Sequence, residues 1–211
     1  MKNPMTQRLL VSLFTIAALG VAQSAKADTY KVDPVHSSVN FEVRHIFSKV
    51  RGNFSEFEGT LDWDEKKPEV SKVDFKIMTK SINTGNKKRE EHLQSSDFFD
   101  VAKFPEITFK SKKVTPAGKG KFKITGDMKM HGVTKEVTFD AEHLGSGKDP
   151  MGRETASFSA ETKVDRKDFG IKWNKAADNG GFLLGDDVKI EIQVEADKEV
   201  PKNAAKKTDK K

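Results

Sequence analysis

The chain has 211 residues, 35% of them hydrophobic, and no Cys; it fits one domain with appendages and excludes a disulfide framework or a thiolate metal site. Its formal charge of +6 sits at the ends: of 38 Lys and Arg and 32 Asp and Glu, nine and two fall in residues 1–27 and 198–211, leaving 29 basic and 30 acidic residues between. A nucleic-acid binder concentrates positive charge on its folded face, so this balance excludes that class.

Lys2 and Arg8 precede an apolar run over residues 9–22, and Ala25-Lys26-Ala27 supplies the small residues that signal peptidase reads. Residues 1–27 are therefore predicted to be a secretory signal peptide, cleaved before Asp28. The run is shorter than the roughly 20 apolar residues of a membrane span, and no second apolar stretch follows, so an exported protein without stable membrane insertion is expected. Strands are predicted at residues 29–33 and 37–44, broken by Pro34, with Val39, Phe41 and Val43 on one face and His45 extending the row. An extended course resumes at residues 50–54, and Phe57, Gly59, Leu61 and Trp63 form the next apolar row. After a turn at residues 65–68, Val73, Phe75 and Ile77 alternate with polar neighbours.

The pattern then changes. A short helix is expected over residues 87–93, capped by Asn83 or Thr84, with a further turn through Asp97-Phe98-Phe99 ended by Pro105. Strands return at residues 106–110 and 112–115, followed by a turn at residues 116–118. Residues 121–130 and 133–142 read as a hairpin about His131-Gly132, with Phe122, Ile124, Gly126, Met128 and Met130, then Val133, Val137, Phe139 and Ala141, on the apolar side. Gly145-Ser146-Gly147 reads as a loop and residues 149–152 as a turn. Ala156, Phe158, Ala160 and Thr162 share a face of the next strand, Asp165 caps one helical turn closed by Gly170, and Val188, Ile190, Ile192 and Val194 form the last inward row. The Lys-rich residues 198–211 are predicted to be disordered, with a role in solubility or weak attraction to anionic membranes.

About eight strands, dry on one face only, with two short helical insertions, must stack as a sandwich or curl into a barrel; a closed antiparallel up-and-down barrel is the preferred expectation. Gly52, Gly59 and Gly126 lie inside strand patterns, where closure needs bends. An eight-stranded barrel is filled by side chains or holds one small ligand, and periodicity leaves both open.

Several runs carry a resemblance. Asp33-Pro34-Val35-His36-Ser37, Val50-Arg51-Gly52-Asn53-Phe54, residues 81–86 leading to Arg89 and His92, Ser96-Asp97-Phe98-Phe99-Asp100, His131-Gly132-Val133-Thr134-Lys135 and Arg166-Lys167-Asp168-Phe169-Gly170-Ile171 occur in the order found in the YceI-like proteins. The chain resembles that polyisoprenoid-binding family over essentially its whole folded body. The resemblance implies an eight-stranded lipocalin-like barrel, a periplasmic location, a long isoprenoid or amphiphilic lipid in the cavity and often a homodimer, with no catalytic constellation. Glu90 stands where the family usually has Asp, Met128 and Met130 replace Leu, and Met151 sits where Trp is common.

A hollow barrel would be lined by Val39, Phe41, Val43 and His45, by Phe75 and Ile77, by Phe122, Ile124 and Met128, by Phe139 and Phe158, and by Ile190 and Ile192. Phe98 and Phe99 either cap the open end as core or line the way in, and Trp173 and Phe182 share that alternative. His45, Arg89 and His92 are the candidate polar contacts. None of the five His stands at ligand spacing with another His or a fitting acid, so no metal or other cofactor is expected. Without a nucleophile elbow or a paired-carboxylate site, no enzyme is expected either. The function read from these residues is an exported carrier or store for an isoprenoid quinone-like or other long-chain lipid. The alternatives are a filled barrel serving as a partner-binding or structural protein, and an enzyme acting on a bound lipid.

Overall fold

A computed structural model describes residues 27–176 and 182–200. The expected signal peptide (apart from Ala27) and the tail beyond Val200 lie outside the described residues. Eleven strand segments are described: β1 (Asp28–Val32), β2 (Ser38–His45), β3 (Ser48–Phe54), β4 (Phe57–Trp63), β5 (Lys72–Met78), β6 (Ile82–Asn83), β7 (Glu106–Gly118), β8 (Lys121–Met130), β9 (Val133–Lys148), β10 (Glu154–Asp165) and β11 (Leu184–Lys198). One α-helix, α1 (Lys87–Gln94), interrupts them.

The segments make eight staves. β1 and β2 are halves of one bent stave, since both pair with β11. β3 and β4 pair with those two halves in turn, and β6 continues β5. Every neighbour is antiparallel, and pairing of Tyr30 with Lys198 and of Val32 with Ala196 closes the last stave on the first. The fold is therefore a closed eight-stranded antiparallel barrel with no free long edge, as the alternation predicts.

The bend at Pro34 keeps its pairing through one main-chain bond and one side chain. Asp33 N donates to Glu195 O at 2.8 Å, and Ser37 Oγ both donates to Glu195 O at 3.2 Å and accepts from Glu195 N at 3.0 Å. A hydroxyl thus replaces main-chain partners where proline cannot donate.

Glycine works here by admitting rings. A Cβ at Gly52 would stand 2.5 Å from Phe41 Cζ and 2.7 Å from Asn83 O, and one at Gly59 would stand 2.5 Å from Phe75 Cδ2. Inward aromatic rings lie over bare backbone, an arrangement that lets strands curve tightly around a core.

Four sequence expectations are corrected. β7 is continuous through residues 116–118, and a bulge at Lys112 absorbs the break that the pattern suggested. Gly145-Ser146-Gly147 is strand, because β10 offers pairing partners from Thr155 to Ser157. α1 is capped by Asn86, whose side chain accepts from Arg89 N at 3.1 Å, instead of by Asn83 or Thr84; Thr84 holds Arg89 and Glu90. β11 runs to Lys198, one residue into the expected tail, because it closes the barrel. The other helical insertion is a 3-10 turn over Arg166–Phe169, capped by Asp165 and ended by left-handed Gly170, as expected.

The turns at residues 64–71, 119–120 and 149–153 lie at one end of the staves with the first and last residues of the barrel. The β2–β3 turn, α1, the His131–Gly132 turn and the segment after Phe169 lie at the other. The first end is plugged by Trp63, whose indole meets the rings of Phe122 and Phe158 edge to face at 5.3 and 5.0 Å. Trp63 Nε1 is buried and has no oxygen or nitrogen acceptor.

Candidate functional site: an apolar cavity under a helical lid

The barrel is hollow. A cavity of about 470 Å³ runs from the Trp63 plug toward the α1 end. Its walls are the inward rows set by period-two alternation: Val39, Phe41, Val43 and His45 on β2; Phe75 and Ile77 on β5; Phe122, Ile124 and Met128 on β8; Phe139 on β9; Phe158 on β10; Ile190 and Ile192 on β11. Arg89 and His92 on α1, Phe98 and Phe99 after it, and Trp173 complete the lining at the other end. Of the residues singled out from sequence, Phe182 alone stands elsewhere. It is 62% exposed, lies under Lys167 Nζ at 5.9 Å and is absent from the cavity wall. Phe182 lies outside the alternating part of the last strand, so its sequence offers no alternation from which to read its direction.

The lid is an aromatic cluster around one imidazole. His92 meets Phe98 at 5.0 Å and Trp173 at 4.9 Å, both edge to face, and those two rings are 5.1 Å apart. His92 Nε2 also pairs with Asp97 Oδ2 at 2.9 Å, joining α1 to the turn that carries Phe98. Phe98 is 6% exposed, so it is both core and cavity wall. Arg89 lies along the rim, its Nε donating to Thr84 Oγ1 at 2.9 Å and its Nη2 to Thr84 O at 2.8 Å.

Sequence reasoning passed over Arg166. It is 4% exposed and lines the cavity near Trp173. Its Nε donates to Gly185 O at 2.9 Å, its Nη1 to Ile171 O at 2.8 Å and Trp173 O at 2.7 Å, and its Nη2 to Asp186 Oδ1 at 3.0 Å. A guanidinium is the one side chain that can satisfy so many acceptors in a single plane. The signal was present: the inward parity of Ala156, Phe158, Ala160, Thr162 and Val164 continues to position 166. Met130, Ile107 and Phe109, also in the wall, follow from the same parity on their strands.

One grouping lies beyond the reach of the spacing argument about His. Asp33, His36 and Glu195 bring three potential metal-ligating atoms within 4.8 Å at the outer bend between β1 and β2. Glu195 is too distant in sequence for any spacing rule to find it. His36 is 60% exposed and bonds Asp33 Oδ2 at 2.8 Å, with Glu195 Oε1 at 3.9 Å. The hydrogen bond and charge of Asp33 raise the His36 pKa, and the same bond lowers that of Asp33.

A nearly wholly apolar cavity ringed at one end by Lys88, Arg89, His92 and Arg166 can hold a long hydrocarbon chain and meet a polar group at its end. Fold and site thus define a closed antiparallel barrel of the lipocalin-like kind with an internal apolar chamber. A model of the YceI-like domain matches residues 30–196, and the chain belongs to that family. It is 42% identical over 171 residues to a UPF0312 protein of Pseudomonas putida (strain GB-1), covering 78% of this chain and 89% of the relative. Among solved structures, a YCEI protein of Campylobacter jejuni superposes with a TM-score of 0.66 at 35% identity, covering 74% of this chain and 90% of that one. A polyisoprenoid binding domain from Saccharophagus degradans has the same fold, with a TM-score of 0.58 at 12% identity over 82% of this chain and all of the other.

Proposed function

We propose that this protein is an exported, periplasmic carrier or store that holds one polyisoprenoid or other long-chain amphiphile, such as an isoprenoid quinone, inside the barrel. The observation that carries the reading is the continuous apolar cavity of about 470 Å³. At about 30 Å³ per water-sized group, that space takes on the order of 15 carbon-sized groups, and a longer chain extends through the lid. Each buried methylene contributes about 0.8 kcal/mol, so the chain supplies most of the affinity and polar contacts at His45, Arg89 and His92 select the end group. The signal-like residues 1–27 support export, and the family membership supports the ligand class. The cavity argues against a filled barrel that serves only as a scaffold. A carrier needs no catalytic residue: here binding energy is realised in a stable complex and drives no chemical step.

Native mass spectrometry of protein exported by its own signal, followed by solvent extraction, tests the proposal. One bound species of a few hundred daltons (roughly the mass that fills such a pocket) with isoprenoid or acyl fragments is expected. A bare mass that stays unchanged after incubation with quinones and polyprenyl lipids defeats it.

A further inference from the structure

β2 and β3 are joined by a two-residue turn, Ile46 and Phe47, between the paired residues His45 and Ser48. Ile46 has a φ of 51°, a left-handed conformation in which a β-branched residue is rare and Asn or Gly is usual. The turn is nevertheless held firmly: Ile46 N donates to Leu183 O at 2.8 Å, and Arg44 Nη1 donates to Ile46 O at 3.2 Å. Its product is Phe47, 90% exposed, the most exposed large apolar side chain among the described residues. One exposed ring is ordinary on a protein surface, but one presented by a strained backbone invites a functional explanation.

Position supplies that explanation. Phe182, 62% exposed, adjoins Leu183, which accepts the hydrogen bond from Ile46, so the segments that carry the two rings meet at this end of the barrel. His45, Val50, Leu183 and Leu184 beside them belong to the cavity wall. Exposed cations stand on the segments of this end: Arg44 on the hairpin, Lys88 and Arg89 on α1, and Lys172 and Lys175 before β11. Several acids of these segments are engaged, Glu42 by Lys49 and Arg51, Glu90 by the backbone of Thr84 and Asn86, and Asp186 by Arg166 and Lys167.

We propose that this rim docks the open end of the barrel on an anionic bilayer, Phe47 and Phe182 entering the interfacial layer while the cations meet lipid phosphates. The proposal rests on the carrier reading and adds the route by which cargo is exchanged: a chain moves between bilayer and cavity without crossing water. Separate aromatic rings standing among basic side chains suit an interface of headgroups, where aromatic bodies lie shallowly and cations face phosphate. Both termini of the barrel chain leave from the opposite end, so nothing described obstructs the approach.

Flotation with vesicles of phosphatidylethanolamine and phosphatidylglycerol, and with vesicles of phosphatidylcholine alone, reads docking directly and without cargo. The wild-type protein is expected to float with the anionic vesicles and to be released by added salt. Phe47→Ser is expected to weaken that partitioning by roughly tenfold, the fold-change of returning one aromatic side chain to water. F47W retains binding, and its added fluorescence is quenched by brominated acyl chains. Uptake of farnesol from aqueous solution, measured in parallel, reads the cavity alone and should be unchanged in Phe47→Ser, which also shows that this variant is folded. Failure of the wild type to float, an unaffected Phe47→Ser, or unquenched F47W overturns docking and turns the search toward a protein partner. Loss of farnesol uptake by the wild type defeats the carrier reading, whatever the vesicles show.

Discussion

Arg166 concentrates the consequences of single-residue chemistry in this barrel. Four of its N–H groups are committed to three carbonyls and Asp186, and the side chain is shut off from solvent. Arg166→Met fills similar space but orphans the carbonyls of Gly185, Ile171 and Trp173. The expected cost is about 3 kcal/mol, measured as a shift in denaturant midpoint. The bend near Pro34 offers a pH test. Bonded to Asp33, His36 titrates above its ordinary 6.5, so its contribution to stability is full below that value and is lost as pH rises through the raised one. Asp33, titrating below its ordinary 3.8, contributes above that value and loses its contribution as pH falls through the lowered one. An NMR titration of the His36 ring is expected to show the raised midpoint, and Asp33→Asn to return it toward 6.5.

Strands were the legible elements because their periodicity is local. The rows on β2 and β11 follow from alternation and line the cavity throughout; those on β8 and β10 do so except at Gly126, Ala156 and Thr162. Irregular elements were less so. The helix was placed correctly but its cap was not, since three polar residues at 83, 84 and 86 compete and only the packed loop chooses Asn86. The sequence leaves Phe182 open for the same reason, its segment lacking any repeat, and the structure puts it outside the cavity wall. Because α1 covers the cavity with no buried residue of its own, its hold depends on caps and on the His92 cluster. Asn86→Ala is therefore expected to cost about 1 kcal/mol. It should also speed amide exchange over residues 87–94 and accelerate ligand release, while the barrel strands keep their protection.

The whole molecule is a shell around a space, so its stability should depend on occupancy. Anything that binds only the folded barrel raises the melting temperature by mass action, and solvent-extracted protein is expected to melt below the loaded form. Ala160→Trp, placing an indole in the wall at mid-barrel, should reduce uptake of long chains more than of farnesol and leave circular dichroism unchanged; equal loss for both would count against a cavity read by length. No helix among the described residues is long and apolar enough to cross a membrane.

The sequence by itself determined which strand side chains share the dry face, that there are about eight strands and that this face must be covered by a sandwich or a barrel, because alternation is a property of each strand and one dry face demands cover. Only the tertiary structure decided that the interior is hollow, that Arg166 and Trp173 meet under α1, and that Ser37 and Glu195 repair the bend. Those outcomes depend on barrel radius and register, which sum small contributions from all eight staves and are written in no single stretch of chain.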